Sequence, residues 1–265
     1  MRNLIASLRI FLSGAWLSYI GLFLWTQPTW YVACKVVAPL SQMIFFVYLG
    51  TVATGGGTAE FYIVGNALQM AAANGIFGVT MVVGGERNAG TLVYLIGSPG
   101  NRLTIFLGRA LFNVLDGTLT VVVCFAWGVL LGLNLSHANL PGLALTILIA
   151  TVSTCGLGLL LGSLSLLSLN MMFINNTMYF LLMLFSGANL PLDRMPLWMH
   201  ALSSVVPLTR GIQSARLLVN GASLGEVAPL LFAELAVGLV YALAGFALFR
   251  WVEFQARQRG TLEAF

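Results

Sequence analysis

One stretch of the sequence places ionisable and amide side chains inside an otherwise apolar segment. The residues that fall within about 60° of one another on a helix drawn at 100° per residue are Arg102, Arg109, Asn113, Asp116, Thr120 and Trp127. A carboxylate or an amide that faces lipid is unfavourable, so this face should meet protein or a wet cavity. Two interpretations stay open. The side chains join neighbouring helices, with Arg109 reaching Asp116 over two turns, or they line a cavity wall that contacts a ligand.

Further polar residues lie in other apolar segments. Asn66 and Gln69 share one segment, and Asn175 lies in another. We expect these amides to close hydrogen bonds within a helix bundle. Glu234 lies deeper in the last apolar segment than Glu226, so a paired or protonated carboxylate is expected there, with a proton relay as the alternative.

No pattern in the sequence is typical of catalysis or of metal binding. Cys34, Cys124 and Cys155 lie in apolar stretches without metal-ligand spacing, and no Ser/His/Asp constellation appears at helical spacing. A Gly-x-x-x-x-Gly-Lys-Ser/Thr phosphate loop is also missing. We therefore expect no catalytic residue and no metal site in this chain, and we do not expect it to be an enzyme.

The composition identifies lipid as the solvent of this chain. Of 265 residues, 59% are apolar and 8% are charged, with a mean hydropathy of +0.94, whereas soluble domains carry about 25% charged residues. The net charge of +4 comes from scattered basic residues, which argues against a nucleic-acid partner.

The apolar segments predict an all-α membrane protein with six transmembrane helices in one domain, residues 29–265. Each candidate is long enough to cross the bilayer at about 1.5 Å per residue. They are Trp30–Val52, Phe61–Val83, Thr104–Leu131, Leu143–Leu164, Met171–Ala188 and Pro229–Phe249. Residues 1–28 contain a shorter apolar part with aromatic residues, which favours an amphipathic interfacial segment; a first span is the alternative.

The basic residues predict the orientation. With both termini in the cytoplasm, the inner side receives most of the arginines, including those of the tail at 250–265, while Lys35 and Arg109 lie near enough to snorkel to it. The outer side keeps Arg194, Arg210 and Arg216, all within the loop at 189–225.

The loop at 84–103 carries charge into this apolar chain. It contains Glu86, Arg87, Gly90 and Thr91, and then Pro99. Glu86 would suit the N-terminal dipole of a short amphipathic cytosolic helix, which Pro99 would stop.

The loop at 189–225 is semi-polar, with apolar pieces too short to span. Phe185, Ser186 and Gly187 precede it, and it contains Pro191 and the run from Pro207 to Arg210. We expect short re-entrant or surface helices on the extracytoplasmic side.

Together, these two loops resemble the permease subunits of type-2 ATP-binding-cassette (ABC) transporters. In that family, a Glu-Arg-x-x-Gly-Thr-Leu segment forms the cytosolic coupling helix, and a segment with Pro, Pro-Leu-Thr and Arg precedes the last span. The resemblance implies that Glu86, Arg87, Gly90 and Thr91 contact an ATPase. It also implies that Pro191, Pro207 and Arg210 belong to the extracytoplasmic motif.

The resemblance also implies partners and a function. We expect two copies of an ABC ATPase that bind ATP and Mg, a second permease copy, most simply as a homodimer, and a place in the bacterial cytoplasmic (inner) membrane. The expected function is export of a hydrophobic or amphipathic substrate, such as a drug, an antibiotic or a lipid-like metabolite. Export of a polysaccharide or lipid-linked glycan is the alternative within the family, and an ion-coupled secondary transporter using Asp116 and Glu234 is the alternative outside it.

Overall fold

A computed structural model describes residues 13–14, 16, 28–53, 59–88, 90, 102–167 and 170–259. Within these ranges every regular element is helical. The helices are numbered from α1 in chain order after residue 27, and their bounds are as follows. Helix α1 comprises Pro28–Val32, a π-helical turn at Ala33–Val37 and Ala38–Ala53; α2 comprises Ala59–Ala73, a π-helical turn at Asn74–Gly78 and Val79–Asn88; then follow α3 (Arg102–Leu130), α4 (Leu140–Ser165), α5 (Met171–Phe185), a 3-10 turn (Leu192–Arg194), α6 (Leu197–Val205), α7 (Thr209–Val219) and α8 (Leu224–Arg259).

The prediction of an all-helical, multi-span membrane protein is confirmed. In the described part of the chain, five helices are long and apolar enough to cross a membrane: Ala33–Ala53, Ala59–Gly85, Gly108–Leu130, Leu140–Ser165 and Leu224–Gln255. The sixth predicted span corresponds to α5, which is apolar but has 15 residues. At 1.5 Å per residue α5 extends about 22 Å, less than a hydrocarbon core of about 30 Å. The count of six stays a prediction, and the expected interfacial segment at 1–28 lies almost wholly outside the described residues.

Side chains at the helix starts explain where α4, α5 and α8 begin. Asn139 accepts a hydrogen bond from the backbone N–H of Gly142 at 3.1 Å, and Asn170 accepts one from Phe173 at 3.0 Å. At the start of α8, Glu226 Oε1 accepts hydrogen bonds from the Ser223 hydroxyl at 2.7 Å and from the Ser223 backbone N–H at 3.4 Å, and the latter is the glutamate half of a capping box.

Helix α4 is the centre of the bundle, and its most extensive packing is against α8. The hydroxyl of Ser153 donates to the backbone oxygen of Glu234 at 3.1 Å, and that of Ser163 donates to Gly245 O at 2.8 Å. A Cβ added to Gly238 would lie 2.5 Å from the Cα of Ser153. Small residues and interhelical hydrogen bonds therefore hold α4 and α8 together, as expected where both lipid and protein are apolar.

This packing predicts that Gly238→Leu destabilises the bundle. The new side chain would overlap the backbone of α4, and overpacking of this kind typically costs about 1–3 kcal/mol. Val240→Leu is the matched control because Val240 is exposed on the same helix. We expect a lower thermal unfolding midpoint and a broader size-exclusion profile for Gly238→Leu alone; equal midpoints for the two variants would contradict the packing.

Candidate functional site

A cluster of four polar side chains joins α1, α2 and α3; we call it the Asp116 cluster. Lys35 of α1 forms an ion pair with Asp116 Oδ2 of α3 and donates a hydrogen bond to Asn74 Oδ1 of α2. Tyr31, one turn before Lys35, donates from its hydroxyl to Asp116 Oδ1. Both carboxylate oxygens of Asp116 are thus bound by side chains of α1.

The backbone places this cluster near the middle of the bundle. Asn74 and Asp116 lie near the midpoints of α2 and α3. Lys35 lies within the π-helical turn of α1, and Asn74 begins the π-helical turn of α2. A π turn inserts one extra residue and rotates the following face of the helix, and such turns are frequent at functional sites.

The polar face predicted on α3 lies against α2 and α1. Thr120 is buried and donates to Asp116 O at 2.8 Å, and Asn113 donates to Arg109 O at 3.2 Å. The expected partner of Asp116 was wrong, because Lys35 and not Arg109 forms its ion pair. Lys35 is accordingly engaged inside the bundle and does not snorkel to its end.

Sequence reasoning missed the contribution of α1. Besides Tyr31 and Lys35, Gln42 uses its amide oxygen to accept a hydrogen bond from the Tyr179 hydroxyl of α5 at 3.0 Å. Tyr179 also lies 5.9 Å, centroid to centroid, from the ring of Phe77 in the π turn of α2. The sequence did contain a signal for this contribution, because Lys35 lies inside a predicted span and a charged residue there needs a partner.

A second polar centre, the Glu234 cap, anchors the segment between α6 and α7. The buried carboxylate of Glu234 accepts backbone N–H bonds from Leu208 at 2.5 Å, Arg210 at 3.2 Å and Gly211 at 3.3 Å. Leu208 follows Pro207 and has a left-handed backbone (φ 82°). Glu234 therefore caps the N-terminus of α7 from another helix, which is the paired carboxylate that its depth predicted.

Helix α7 lies among the larger helices, whereas α6 is mostly exposed. Gly211 packs against Ala150 and Leu68, each about ten residues from the start of α4 or α2. The guanidinium of Arg216 lies 3.5 Å from the ring centroid of Phe61 and donates to Phe61 O and Ala188 O at 3.0 and 3.1 Å. Arg210 donates to Ser204 O, and Pro191 immediately precedes the 3-10 turn.

The predicted amides on α2 contact the segment that follows α5. Asn66 donates to Asn189 Oδ1 at 2.8 Å, and Gln69 Oε1 accepts from the Ser186 hydroxyl at 3.3 Å. Asn175 on α5 is also buried. Among the described residues, neither of its amide atoms has a hydrogen-bond partner.

The predicted coupling segment begins differently from the expectation. The expected short helix starting at Glu86 is not formed there, because α2 continues through Asn88 and Glu86 lies in its last turn. Arg87 donates from Nη1 to Ser165 O at the C-terminus of α4, at 3.0 Å. Gly90 has φ +69° and its N–H donates to Arg87 O at 3.0 Å, so it ends the helix in a left-handed turn. Thr91 lies outside the described residues.

Comparison with known proteins decides the family. The sequence model of the family described as "ABC-2 type transporter" matches residues 13–219, well over half of the chain. The chain belongs to the ABC-2 type transporter family. The resemblance to type-2 ABC permeases that the two loops indicated is therefore confirmed at the level of the family.

Two relatives are similar to this ABC-2 chain over most of its length. Both are named "Probable multidrug ABC transporter permease YbhR", one from Escherichia coli strain K12 and one from Escherichia coli O157:H7. Each is 27% identical over 195 residues, which cover 72% of this chain and 52% of the relative. The chain thus spans about half the length of the curated relatives it matches.

The family match contains most of the polar sites described above. It includes the Asp116 cluster, the turn at Arg87 and all of α7, and it ends at Val219, the last residue of that helix. Glu234 lies beyond the match although it caps α7, so the ABC-2 chain is held together across the end of the matched range.

The Glu234 cap predicts that Glu234→Gln loosens α7. The amide keeps one acceptor oxygen but replaces the other with an NH₂ group that cannot accept a hydrogen bond, and a buried N–H left without an acceptor costs about 1–3 kcal/mol. We expect a lower unfolding midpoint and faster thiol labelling of a cysteine placed at Ser214, which is fully buried on α7.

The control is Asp193→Asn, since Asp193 is exposed in the 3-10 turn and surface changes of this kind stay within about 0.5 kcal/mol. Unchanged labelling at position 214 in Glu234→Gln would contradict the capping role.

Proposed function

We propose that this chain is the membrane-spanning subunit of an ATP-driven exporter whose energy comes from a separate ABC ATPase. The observation that carries the proposal is the turn at Arg87, where the chain leaves α2 with the residues that the family uses to meet its ATPase. This segment lies at the end of a helix that is largely buried in the bundle.

The contacts of this turn support a mechanical role. Arg87 binds the C-terminal carbonyl of Ser165 in α4, and α4 packs along α8. A force applied at residues 86–91 would therefore act on the central helix. A Cβ added to Gly90 would meet no described atom within 4 Å, so among the described residues this side of the turn is open to a partner.

The assembly we propose contains two permease copies and two ATPase subunits. ATP and Mg bind to the ATPase, and no cofactor is assigned to this chain. Asn176 and Thr177 are exposed on the apolar helix α5. Because an amide facing lipid is unfavourable, these residues favour a second copy of the chain against this face.

The mechanism we propose is alternating access across a bacterial cytoplasmic membrane, with both termini in the cytoplasm. ATP-driven closure of the ATPase subunits favours one of two permease conformations because it binds that conformation better. The substrate is hydrophobic or amphipathic, in keeping with helices that carry few charges.

The coupling role predicts that Gly90→Leu and Glu86→Lys separate folding from function. A leucine at φ +69° is strained, and a reversed charge opposes docking at the ATPase. We expect both variants to insert and purify normally, with substrate-stimulated ATP hydrolysis reduced about tenfold, within the usual range of coupling between two sites. The measurement uses the complex captured through a tag on the permease and reconstituted in lipid nanodiscs.

The charge-reversal control is Asp193→Lys, on an exposed residue of the 3-10 turn. Wild-type stimulation in both test variants would refute the coupling assignment. Transport by the permease without any ATPase would refute the proposed function.

The orientation predicts labelling from opposite sides of the membrane. The native Cys34, Cys124 and Cys155 are first removed by substitution. A single cysteine is then introduced at the exposed position of Ser204 in one variant and of Gln258 in another. An impermeant thiol reagent should label position 204 in intact cells, and should label position 258 only after the membrane is opened. Labelling of both positions in intact cells would be incompatible with cytoplasmic termini.

A further inference from the structure

We propose that Asp116, Asn74 and Tyr31 form an ammonium-binding site in the membrane-spanning region, which Lys35 fills in this conformation and which the ammonium group of a cationic amphipathic substrate takes over during transport. The proposal rests on the proposed function and deepens it, because it names the substrate class and the place where it binds.

The acceptor groups match the chemistry of a primary ammonium ion. Such an ion has three N–H donors and one positive charge. The site offers the carboxylate of Asp116, the amide oxygen of Asn74 and the ring of Tyr31, whose centroid lies 5.8 Å from Lys35 Nζ. A carboxylate, a neutral oxygen and an aromatic ring are the groups that stabilise an alkylammonium head away from water.

The side of the site formed by α2 and α3 is built rigidly. Asn74 donates from its Nδ2 to Met70 O at 2.9 Å, which leaves its oxygen for the ammonium group. A Cβ added to Gly117 would lie 3.2 Å from the Cβ of Asn74 and 2.8 Å from Thr151 Cγ2. Helices α2, α3 and α4 therefore touch beside Asp116, and the acceptors move together.

The side of the site formed by α1 is lightly held. In the π turn Ala33–Val37, which contains Lys35, no residue is fully buried. The Lys35 side chain is 22% exposed, against 9% for Asp116. This part of α1 is joined to α3 mainly through Tyr31 and Lys35. The core residues of α1, Met43 and Val47, lie in its second half, so a shift of the first half alone would open the site without disturbing the core.

Exchange of one ammonium group for another keeps Asp116 neutralised throughout. Leaving a buried carboxylate unpaired typically costs about 3–5 kcal/mol, whereas replacing its partner by an equivalent cation avoids most of that cost. The released Lys35 has a four-carbon side chain that reaches towards the start of α1. A hydrophobic amine could then place its head on Asp116 and its apolar body near Phe77, one turn after Asn74 on α2. The Tyr179 ring of α5 lies 5.9 Å from the Phe77 ring and extends this apolar surface.

The first test is chemical rescue of Lys35→Ala in the purified full-length permease, without ATPase. The probe is n-butylammonium chloride, compared with sodium chloride at equal ionic strength and with n-butanol. We expect butylammonium alone to raise the unfolding midpoint of Lys35→Ala in a dose-dependent way. The wild type, whose site is occupied, and the double variant Lys35→Ala/Asp116→Asn should not respond.

The second test measures ligand binding and also covers failure of Lys35→Ala to fold. The probe is dansylcadaverine, a hydrophobic fluorophore with a primary amine, and the reference is the neutral N-pentyl dansylamide. We expect the wild type to bind the amine more tightly than the neutral reference, and the single variant Asp116→Asn to bind the two equally. Lys35→Met should strengthen amine binding about tenfold, because it removes the resident competitor. An amine-to-neutral ratio that is unchanged in both variants would overturn the proposal.

Stimulation of ATP hydrolysis by the same two probes separates this proposal from the proposed function. Rescue by butylammonium without any ATPase coupling would support the site and refute the exporter. Coupled ATP hydrolysis with no rescue and no dependence on Asp116 would refute the site and leave the exporter intact.

Discussion

The structure depends on the need to give two carboxyl groups inside an apolar bundle, those of Asp116 and Glu234, hydrogen-bonding partners of their own. Asp116 is paired with Lys35, and Glu234 accepts three backbone N–H bonds from the start of α7. In both cases the partner lies on a different helix, because a helix cannot satisfy a buried carboxylate with its own internally bonded backbone. These two carboxyl groups therefore join α1 to α3 and α7 to α8.

The bundle therefore has a tightly packed part and a part that is held by polar side-chain contacts. Helices α2, α4 and α8 meet through small residues and through hydroxyls that donate across the interface, as Ser153 and Ser163 do. Helix α1, in contrast, is joined in its first half through Tyr31 and Lys35. A transport cycle needs both features. Rigid helices transmit force, whereas polar side-chain contacts can exchange partners with a small change in free energy.

The sequence was sufficient for the features that depend on local periodicity. The positions of five helices long enough to span a membrane followed from runs of apolar residues, and the polar face around Asp116 followed from helical spacing. The partner of Asp116 could not be derived in this way, because Lys35 lies 81 residues away and no spacing rule links them. The π turns add to the difficulty, since an inserted residue rotates the face that a 3.6-residue period predicts.

The loop residues show the same division. The depth of Glu234 predicted a paired carboxylate, but not that its partners would be backbone amides after Pro207. The charge at Glu86 predicted a helix start, whereas α2 continues through Asn88 and its last turn is bound to α4 by the hydrogen bond from Arg87 to Ser165 O. Tertiary packing decided the helix boundary here, which local composition does not encode.

A double-mutant cycle on Lys35→Met and Asp116→Asn tests the central claim most directly. The unfolding free energy would be measured for the wild type, both single variants and the double variant in one lipid nanodisc. If the two charges stabilise each other across α1 and α3, each single variant should lose more unfolding free energy than the double variant loses. The coupling energy should be at least about 1 kcal/mol, as for residues in direct contact. Strictly additive losses would contradict the account.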